Sequence, residues 1–243
     1  MGNKSGLNAF ELKIIAIIAM TLDHLSKIIP SYTTLSYAIL LLMNSIGSIT
    51  MPIMCFFVAE GFYHTRNLKK YFCRLFVFAL VSQIPFYLLT LKELPNNLWE
   101  FVNGNMSFNA IYTLSMGLLA LTIAKTDRMN IIVKGILLAA AIMLTYKSDW
   151  HIYGVLWVLV FGVFRGDFKK QAISFAIISL FRCVEIALTE NMISVFVQIC
   201  TLIALPFLYQ YNGKQGKKLK YGFYIFYPAH MLVLGFINLF NIL

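Results

Sequence analysis

Along the chain, apolar residues arrive in successive runs of about 17 to 25, separated by short polar turns. A run of that length is what an α-helix needs to cross a hydrocarbon core of about 30 Å at 1.5 Å per residue. The alternating segments of about ten residues that mark a membrane β-barrel are not seen. The pattern therefore predicts an all-α, polytopic integral membrane bundle of about nine to ten transmembrane helices. Nine spans are expected near residues 12–29, 51–64, 72–91, 106–125, 131–145, 152–164, 172–188, 192–209 and 223–242. The apolar stretch 35–47 lengthens the second span, lies in the interface or makes a tenth helix. Gly47, Pro52 and Gly61 suggest a broken helix here. Freed backbone groups at membrane depth are tolerated only beside protein or a water-filled cavity, so this segment is a candidate pocket wall. Residues 1–243 read as one domain.

Composition sharpens the class. Of the 243 residues, 60% are hydrophobic and 12% are charged, against about 45–50% apolar and about 25% charged in an average soluble domain. The start of the chain shows no small-residue cleavage site after a short apolar region, so a removable signal peptide is not expected. Met1-Gly2 with Ser5 only partly matches a myristoylation signal. Cys55, Cys73, Cys183 and Cys200 lie in apolar stretches without CxxC spacing, which predicts buried inert thiols and no metal site.

The net charge of +10 is unevenly placed. With nine spans and a cytoplasmic N-terminus, Lys4, Lys13, Arg66, Lys69, Lys70, Arg74, Lys125, Arg128, Lys134, Arg165, Lys169, Lys170, Lys214, Lys217, Lys218 and Lys220 all fall inside. Lys27, Lys92 and Lys147 fall outside, and Arg182 lies within a span. Cytoplasmic loops are enriched in Lys and Arg, so the asymmetry supports an odd number of spans with the N-terminus in and the C-terminus out, and accounts for the charge without nucleic acid. It predicts a multi-pass protein of the cytoplasmic (inner) membrane whose basic surface faces anionic lipid head groups and cytosolic anions.

Candidate chemistry sits where polar residues interrupt the apolar runs. The first span carries Asp23 and His24 side by side, and an intramembrane charge normally faces a cavity or a partner. His24 lies about eleven residues into the first span, or ~17 Å, near the middle of the bilayer. Residues i and i+4 share a helix face whereas neighbours do not. Asp23 is therefore expected to pair with Lys27, leaving His24 either as a reactive base or as a simple interhelical hydrogen-bonding group. A second cluster, Glu60, His64 and Arg66, closes the next span, and Lys69, Lys70 and Arg74 follow it. These groups serve positive-inside anchoring or phosphate binding. Ser82-Gln83-Ile84-Pro85 kinks the third span, and Ser107-Phe108-Asn109 opens the fourth. Both serve as helix–helix glue or pocket lining. Asp149-Trp150-His151-Ile152-Tyr153-Gly154 reads as an outer turn with Trp150 and Tyr153 in the interfacial belt. Arg182 and Glu185 read as a self-neutralising pair. Asn212, Lys214 and Lys217 lie in a glycine-containing basic loop that hands into a span with Pro228 and His230. The spacing of a P-loop is absent.

These residues together resemble a known family. Leu12-Lys13-Ile-Ile-Ala with Met20 and Asp23-His24 resembles the start of the TraX family. The motifs Pro52 to Phe62, His64-Thr65-Arg66-Asn67, Tyr71, Arg74-Leu75, Ser82-Gln83-Ile84-Pro85, Asn109, Gly117, Tyr211-Asn212-Gly213 and Phe223 to His230 keep that family's order. The TraX family is associated with N-terminal acetylation of conjugative pilin and is similar to the wider acyltransferase family 3, membrane enzymes that use acyl-CoA. The resemblance implies that His24 takes part in transfer. This chain departs from the wider pattern at Gly47-Ser48, where an arginine often follows the glycine.

The implied activity is acyl transfer, with acetyl-CoA or another acyl-CoA as donor. The expected acceptor is a peptide N-terminus such as pilin, or a glycan. Such transfer needs a base for the attacking group and donors for the oxyanion. His24 is the candidate base, Asp23 its neighbour, His230 a second acid–base or oxyanion group, and Glu60 an orienting group. The anionic nucleotide end of CoA is expected on Arg66, Arg74, Lys214 and Lys217, with His64 and Asn212 beside them. A secondary transporter also buries midplane charges but usually shows internal repeats, which are not found here. A non-enzymatic pilus or secretion assembly factor is the other alternative.

Overall fold

The computed structural model describes residues 6–30, 32–91, 107–127, 129–218 and 221–240. Met1, Gly2, Lys4, Ser5, Lys92, Arg128 and Lys220 lie outside these residues, as do the opening of the span expected at 106 and the last residues of the one expected to end at 242. The described chain is all-helical: α1 (Ala9–Ser26), α2 (Thr34–Gly47), α3 (Thr50–His64), α4 (Leu68–Leu91), α5 (Ala110–Lys125), α6 (Ile131–Met143), α7 (His151–Val163), α8 (Phe168–Thr189), α9 (Met192–Cys200), α10 (Ala204–Tyr209) and α11 (Gly222–Leu239).

The polar residues between apolar runs decide where helices start. A helix leaves its first N–H groups without partners, and Asn, Asp or Thr side chains supply acceptors. Asn8 and Glu11 form a capping box on α1, and Thr33 and Ser36 form one on α2. Asn109, Asn130, Asp167 and Asn191 cap α5, α6, α8 and α9.

Five stretches are long and apolar enough to cross a membrane: Thr34–His64, Leu68–Thr90, Phe168–Thr189, Met192–Tyr209 and Gly222–Leu239. The stretch 35–47 is thus not a separate tenth span. It lengthens the second one, joined to it through Ser48 and Ile49 in helical conformation. α1 carries Glu11, Lys13 and Asp23 within its 18 residues, and α5, α6 and α7 are shorter apolar helices.

With α2–α3 and α9–α10 each taken as one continuous stretch, the helices run alternately between two ends of the bundle. Residues 7–9, the end of α3 and the segments 163–168 and 209–214 meet at one end, through Leu7 N–H to Gln210 O, Ala9 N–H to Lys214 O, Tyr63 Oη to Gly162 O and the Glu60–Arg165 pair. This is the basic end. At the far end the 144–150 turn is stitched to the start of α5 by Phe108 N–H to Lys147 O and Thr113 Oγ1 to Ser148 Oγ. α3 and α5 are buried nearly all round, with Met51, Ile53, Cys55, Phe56, Leu114, Leu118 and Leu121 in the core. α6 and α8 carry exposed apolar side chains such as Ile131, Ile136, Phe181 and Leu188. That is the distribution of a bundle whose periphery meets an apolar solvent.

One expectation changes here. Cys55, Cys183 and Cys200 are buried, but Cys73 is exposed on the first turns of α4. Trp150, half-buried, packs on the buried Trp157, with ring centroids 5.6 Å apart. Gln83 and Asn109 do serve as glue, since Asn109 Nδ2 donates to Gln83 Oε1 at 2.7 Å and to Ala79 O at 2.7 Å.

Candidate functional site

His24 lies in the last turn of α1, not at its middle. The capping box starts the helix at Ala9, three residues before the expected span, and the helix stops at Ser26. His24 is therefore about fifteen residues, or ~22 Å, from the helix start. The helix ends just beyond His24, whose partner His230 stands at the middle of α11.

There α1 meets α11 and α2. His24 is 7% exposed, and its Nδ1 is 2.7 Å from Nε2 of His230. His230 comes from mid-α11, where its Nδ1 is 2.8 Å from the carbonyl oxygen of Phe226. A carbonyl only accepts, so His230 Nδ1 carries the proton and its Nε2 is an acceptor. His24 Nδ1 must then donate, which leaves His24 Nε2 with a free lone pair in the neutral pair. The tautomer of the reactive-type nitrogen is thus set by a backbone carbonyl two links away. The rings of His230 and Phe226 stack at 4.8 Å and hold the imidazole in place.

Asp23 sits on the other side of that lone pair. Its Oδ2 is 3.8 Å from His24 Nε2 and 2.7 Å from Lys27 Nζ. The expected i,i+4 pair with Lys27 is present, and the same carboxylate also faces His24. α2 packs directly against this point. A Cβ at Gly47 would overlap the Cβ of Asp23, so only glycine lets the two helices approach here.

The 148–151 turn completes the cluster. Trp150 and His151 both have positive φ, at 67° and 46°. Such strained backbone persists only where the surroundings hold it, and it clusters at functional sites. Thr113 Oγ1 donates to the carbonyl of Asp149 at 2.5 Å, and Asp149 N–H donates to Phe108 O at 2.6 Å. The turn brings the Asp149 carboxylate into the field of Lys27 and Asp23. Burial, ahead of the opposing charge of Lys27, holds the Asp149 carboxyl above its ordinary range. Sequence reading did not single out Asp149 for this role. Nothing local marks it, because it lies some 120 positions from its partners.

The other expected residues lie at the basic end. Glu60 does not join the histidines. Arg165 grips it in a bidentate fashion, Nε to Oε1 at 2.6 Å and a terminal nitrogen to Oε2 at 3.1 Å, and His64 Nε2 stands 3.3 Å from Oε2. The reason is helix direction: α3 runs antiparallel to α1, so Glu60 ends at the level of residues 8–10 and not of His24. Arg66 is exposed beyond the end of α3. Asn212 is used by its own turn, donating to Gly6 O at 2.7 Å and accepting from Lys214 N–H at 2.9 Å. Arg74, Lys217 and Lys13, by contrast, each lie over aromatic rings. The Arg74 guanidinium lies over the rings of Tyr71 and Tyr224, at 5.3 and 5.4 Å, and its buried Nε has no hydrogen-bond partner. Lys13 Nζ lies over Phe57 and Phe223, at 4.9 and 5.5 Å, and Lys217 Nζ is 6.0 Å from the ring of Phe10. Among the described residues no carboxylate lies within ion-pair distance of these three cations. Lys13 looked like one more positive-inside lysine in sequence. The contrary signal was its place inside the apolar face of α1.

The chain is 34% identical over 244 residues to the "Probable fimbrial assembly protein FimC, serogroup H1" of Dichelobacter nodosus, covering 96% of this chain and 97% of that protein. A shorter stretch of 87 residues is 32% identical to "Uncharacterized protein RP591" of Rickettsia prowazekii (strain Madrid E), covering 36% of this chain and 30% of that one. No solved structure matches. The TraX protein family profile matches residues 9–238, from the first residue of α1 nearly to the last of α11, and the chain belongs to the TraX family.

Proposed function

We propose that this protein is an acyl-CoA-dependent membrane acyltransferase, most simply an acetyltransferase, acting on a peptide N-terminus such as pilin or on a glycan. The observation that carries the reading is the hydrogen-bonded His24–His230 pair with Asp23 at its open nitrogen. An isolated buried histidine is explained by one hydrogen bond. A pair whose tautomers are fixed so that one bare nitrogen faces a carboxylate is the arrangement of a general base.

His24 Nε2 takes the proton of the attacking amine or hydroxyl as that atom bonds to the thioester carbonyl carbon. Asp23 stabilises the imidazolium so formed. The carbon–sulfur bond then breaks, and the imidazolium returns the proton to the departing CoA thiolate. His230 holds His24 in register through Nδ1. The nucleotide phosphates of CoA belong on Lys13, Arg74 and Lys217, three cations that have ring faces and, among the described residues, no ion-pair partner. From Lys13 to His24 is about eleven residues of one helix, or ~17 Å. The pantetheine arm spans this distance, so donor phosphates and acyl group are read at opposite ends of α1.

The distribution of lysines supports a multi-pass arrangement in the cytoplasmic membrane with the basic end in the cytosol. The fimbrial assembly relative favours a protein acceptor and equally suits a non-enzymatic assembly factor. Purified protein with labelled acetyl-CoA separates the two. The enzyme binds acetyl-CoA and hydrolyses or transfers the label, and His24→Ala loses turnover while keeping binding. If acetyl-CoA neither binds nor turns over, and His24→Ala keeps the cellular phenotype, the assembly-factor reading stands instead.

A further inference from the structure

A cavity of about 670 Å³ opens at the far end of the bundle, between α2, α8, α9 and the 148–151 turn. It is neither the histidine pair nor a part of the basic end. Leu40 and Leu41 on α2, Ile186 on α8, and Ile193 and Val197 on α9 make one side of it apolar. The same helices carry exposed apolar side chains close by, Leu42 and Ile46 on α2 and Phe196 and Ile199 on α9. The cavity therefore lies beside surface that meets an apolar solvent.

Its polar side is defined by what each group has left to give. Ser26, Ser48, Ser148 and Ser194 line it, and each hydroxyl proton is already committed: to Asp23 O at 2.6 Å, to Ser45 O at 2.7 Å, to Thr145 O at 2.8 Å and to Asn191 Oδ1 at 3.3 Å. These four oxygens offer a ligand lone pairs only. Asp149 and Glu190, also in the wall, are acceptors too. Neither has an ion-pair partner among the described residues, and Lys27 is held by Asp23 at 2.7 Å. Donors are fewer. Gln198, 5% exposed, lines the cavity, and its Nε2 has no hydrogen-bond partner. Arg182 lines it as well and gives Nη1 to Glu185 at 2.8 Å, one of the five N–H groups of a guanidinium. The amide of Asn44 serves in either sense. A buried donor without a partner is costly to keep, so Gln198 is matched to an acceptor atom brought by a ligand.

The fitting occupant combines a cation rich in N–H donors, an anionic or carbonyl acceptor and an apolar tail. We infer that this cavity holds the head of a bilayer phospholipid of the ethanolamine type. The primary ammonium lies on the carboxylate and serine side, a phosphate oxygen accepts from Gln198 Nε2, and the acyl chains leave along α2 and α9 into the bilayer. A choline head carries the charge but has no N–H to give the serine oxygens. A glycerol head brings hydroxyl donors to those oxygens and leaves both carboxylates without a counter-charge. The lipid site goes beyond the acyltransfer reading and does not depend on it.

The test is lipid selectivity. Full-length protein, purified in a mild detergent and stripped of lipid, is titrated with phosphatidylethanolamine, phosphatidylcholine and phosphatidylglycerol of identical chains, and bound lipid is counted by native mass spectrometry. Phosphatidylethanolamine should bind about tenfold more tightly than either of the others. Gln198→Leu and Glu190→Gln should each weaken it by about tenfold, the loss of one hydrogen bond to a charged group. Gln198→Glu keeps the shape but not the Nε2 donor, so it should weaken binding as well and guards against a packing artefact. Lys13→Met, at the basic end, should leave binding within twofold. The inference is overturned if the three lipids bind alike, if phosphatidylglycerol with its two hydroxyls binds as tightly as phosphatidylethanolamine, if neither the Gln198 variants nor Glu190→Gln changes the Kd, or if Lys13→Met abolishes the preference. Labelled acetyl-CoA probes a different site, so neither experiment decides the other.

Discussion

At its C-terminal end α1 places Asp23, His24 and Lys27 in a chain of mutual contacts, whereas at its N-terminal end Lys13 lies over ring faces with no ion-pair partner among the described residues. At the far end Lys27, His24 and His230 are each answered by another group within the protein: lysine by aspartate, histidine by histidine, histidine by backbone carbonyl. Such a network is rigid and specifies a tautomer. At the basic end Lys13, Arg74 and Lys217 are held by cation–π contacts, which orient a cation yet leave its hydrogen-bonding capacity open. A self-satisfied network suits chemistry that must be positioned. Unsatisfied cations suit a ligand that arrives with its own negative charge. Glu60 and Arg165 lie at the same basic end and are the exception that sharpens the contrast: they satisfy each other and are closed to ligand.

The contrast yields predictions in descending order of effect. Replacing His24 by Ala should lower kcat for acetyl transfer by about 10²–10⁴-fold, the usual contribution of a general base, with little change in the KM for acetyl-CoA. A steady-state assay in nanodiscs reads both. Lys13→Met and Arg74→Met should do the reverse, raising that KM by about tenfold each while kcat stays near its original value. A Lys13 variant that lost kcat alone would break the division between the two ends.

Gly47→Ala tests the far end by steric means. The added methyl overlaps Asp23, so α1 and α2 must part. Overpacking of this kind costs about 1–3 kcal/mol, and thermal unfolding in detergent should show it together with loss of turnover. Glu60→Gln is the mildest. It should lower stability by about 1–2 kcal/mol through the weakened Arg165 contact and leave turnover unchanged. Lost turnover with unchanged stability would return Glu60 to the chemistry that its helix direction denies it.

Much of this was legible in the residues. The apolar run lengths give the all-α bundle, the Asn, Asp and Thr residues between them give the helix starts, and the i,i+4 spacing gives the Asp23–Lys27 pair. His24 and His230 were recognisable as reactive-type residues because an apolar helix has little other use for them. Their mutual contact was not, since it spans 206 positions and depends on how α1 and α11 pack.

What the sequence by itself determined is local: helix periodicity, caps, charge asymmetry and the residue types available for chemistry. These follow from neighbours along the chain, where geometry is nearly fixed. Only the tertiary structure decided that His24 lies at the end of its helix, that Glu60 belongs to Arg165, and that Lys13, Arg74 and Lys217 lie over aromatic rings. The same packing brings Asp149 and Gln198 to one cavity wall. Each of these depends on helix direction and packing offset, and a shift of one turn, about 5.4 Å, would rewrite every partner while leaving every local pattern intact.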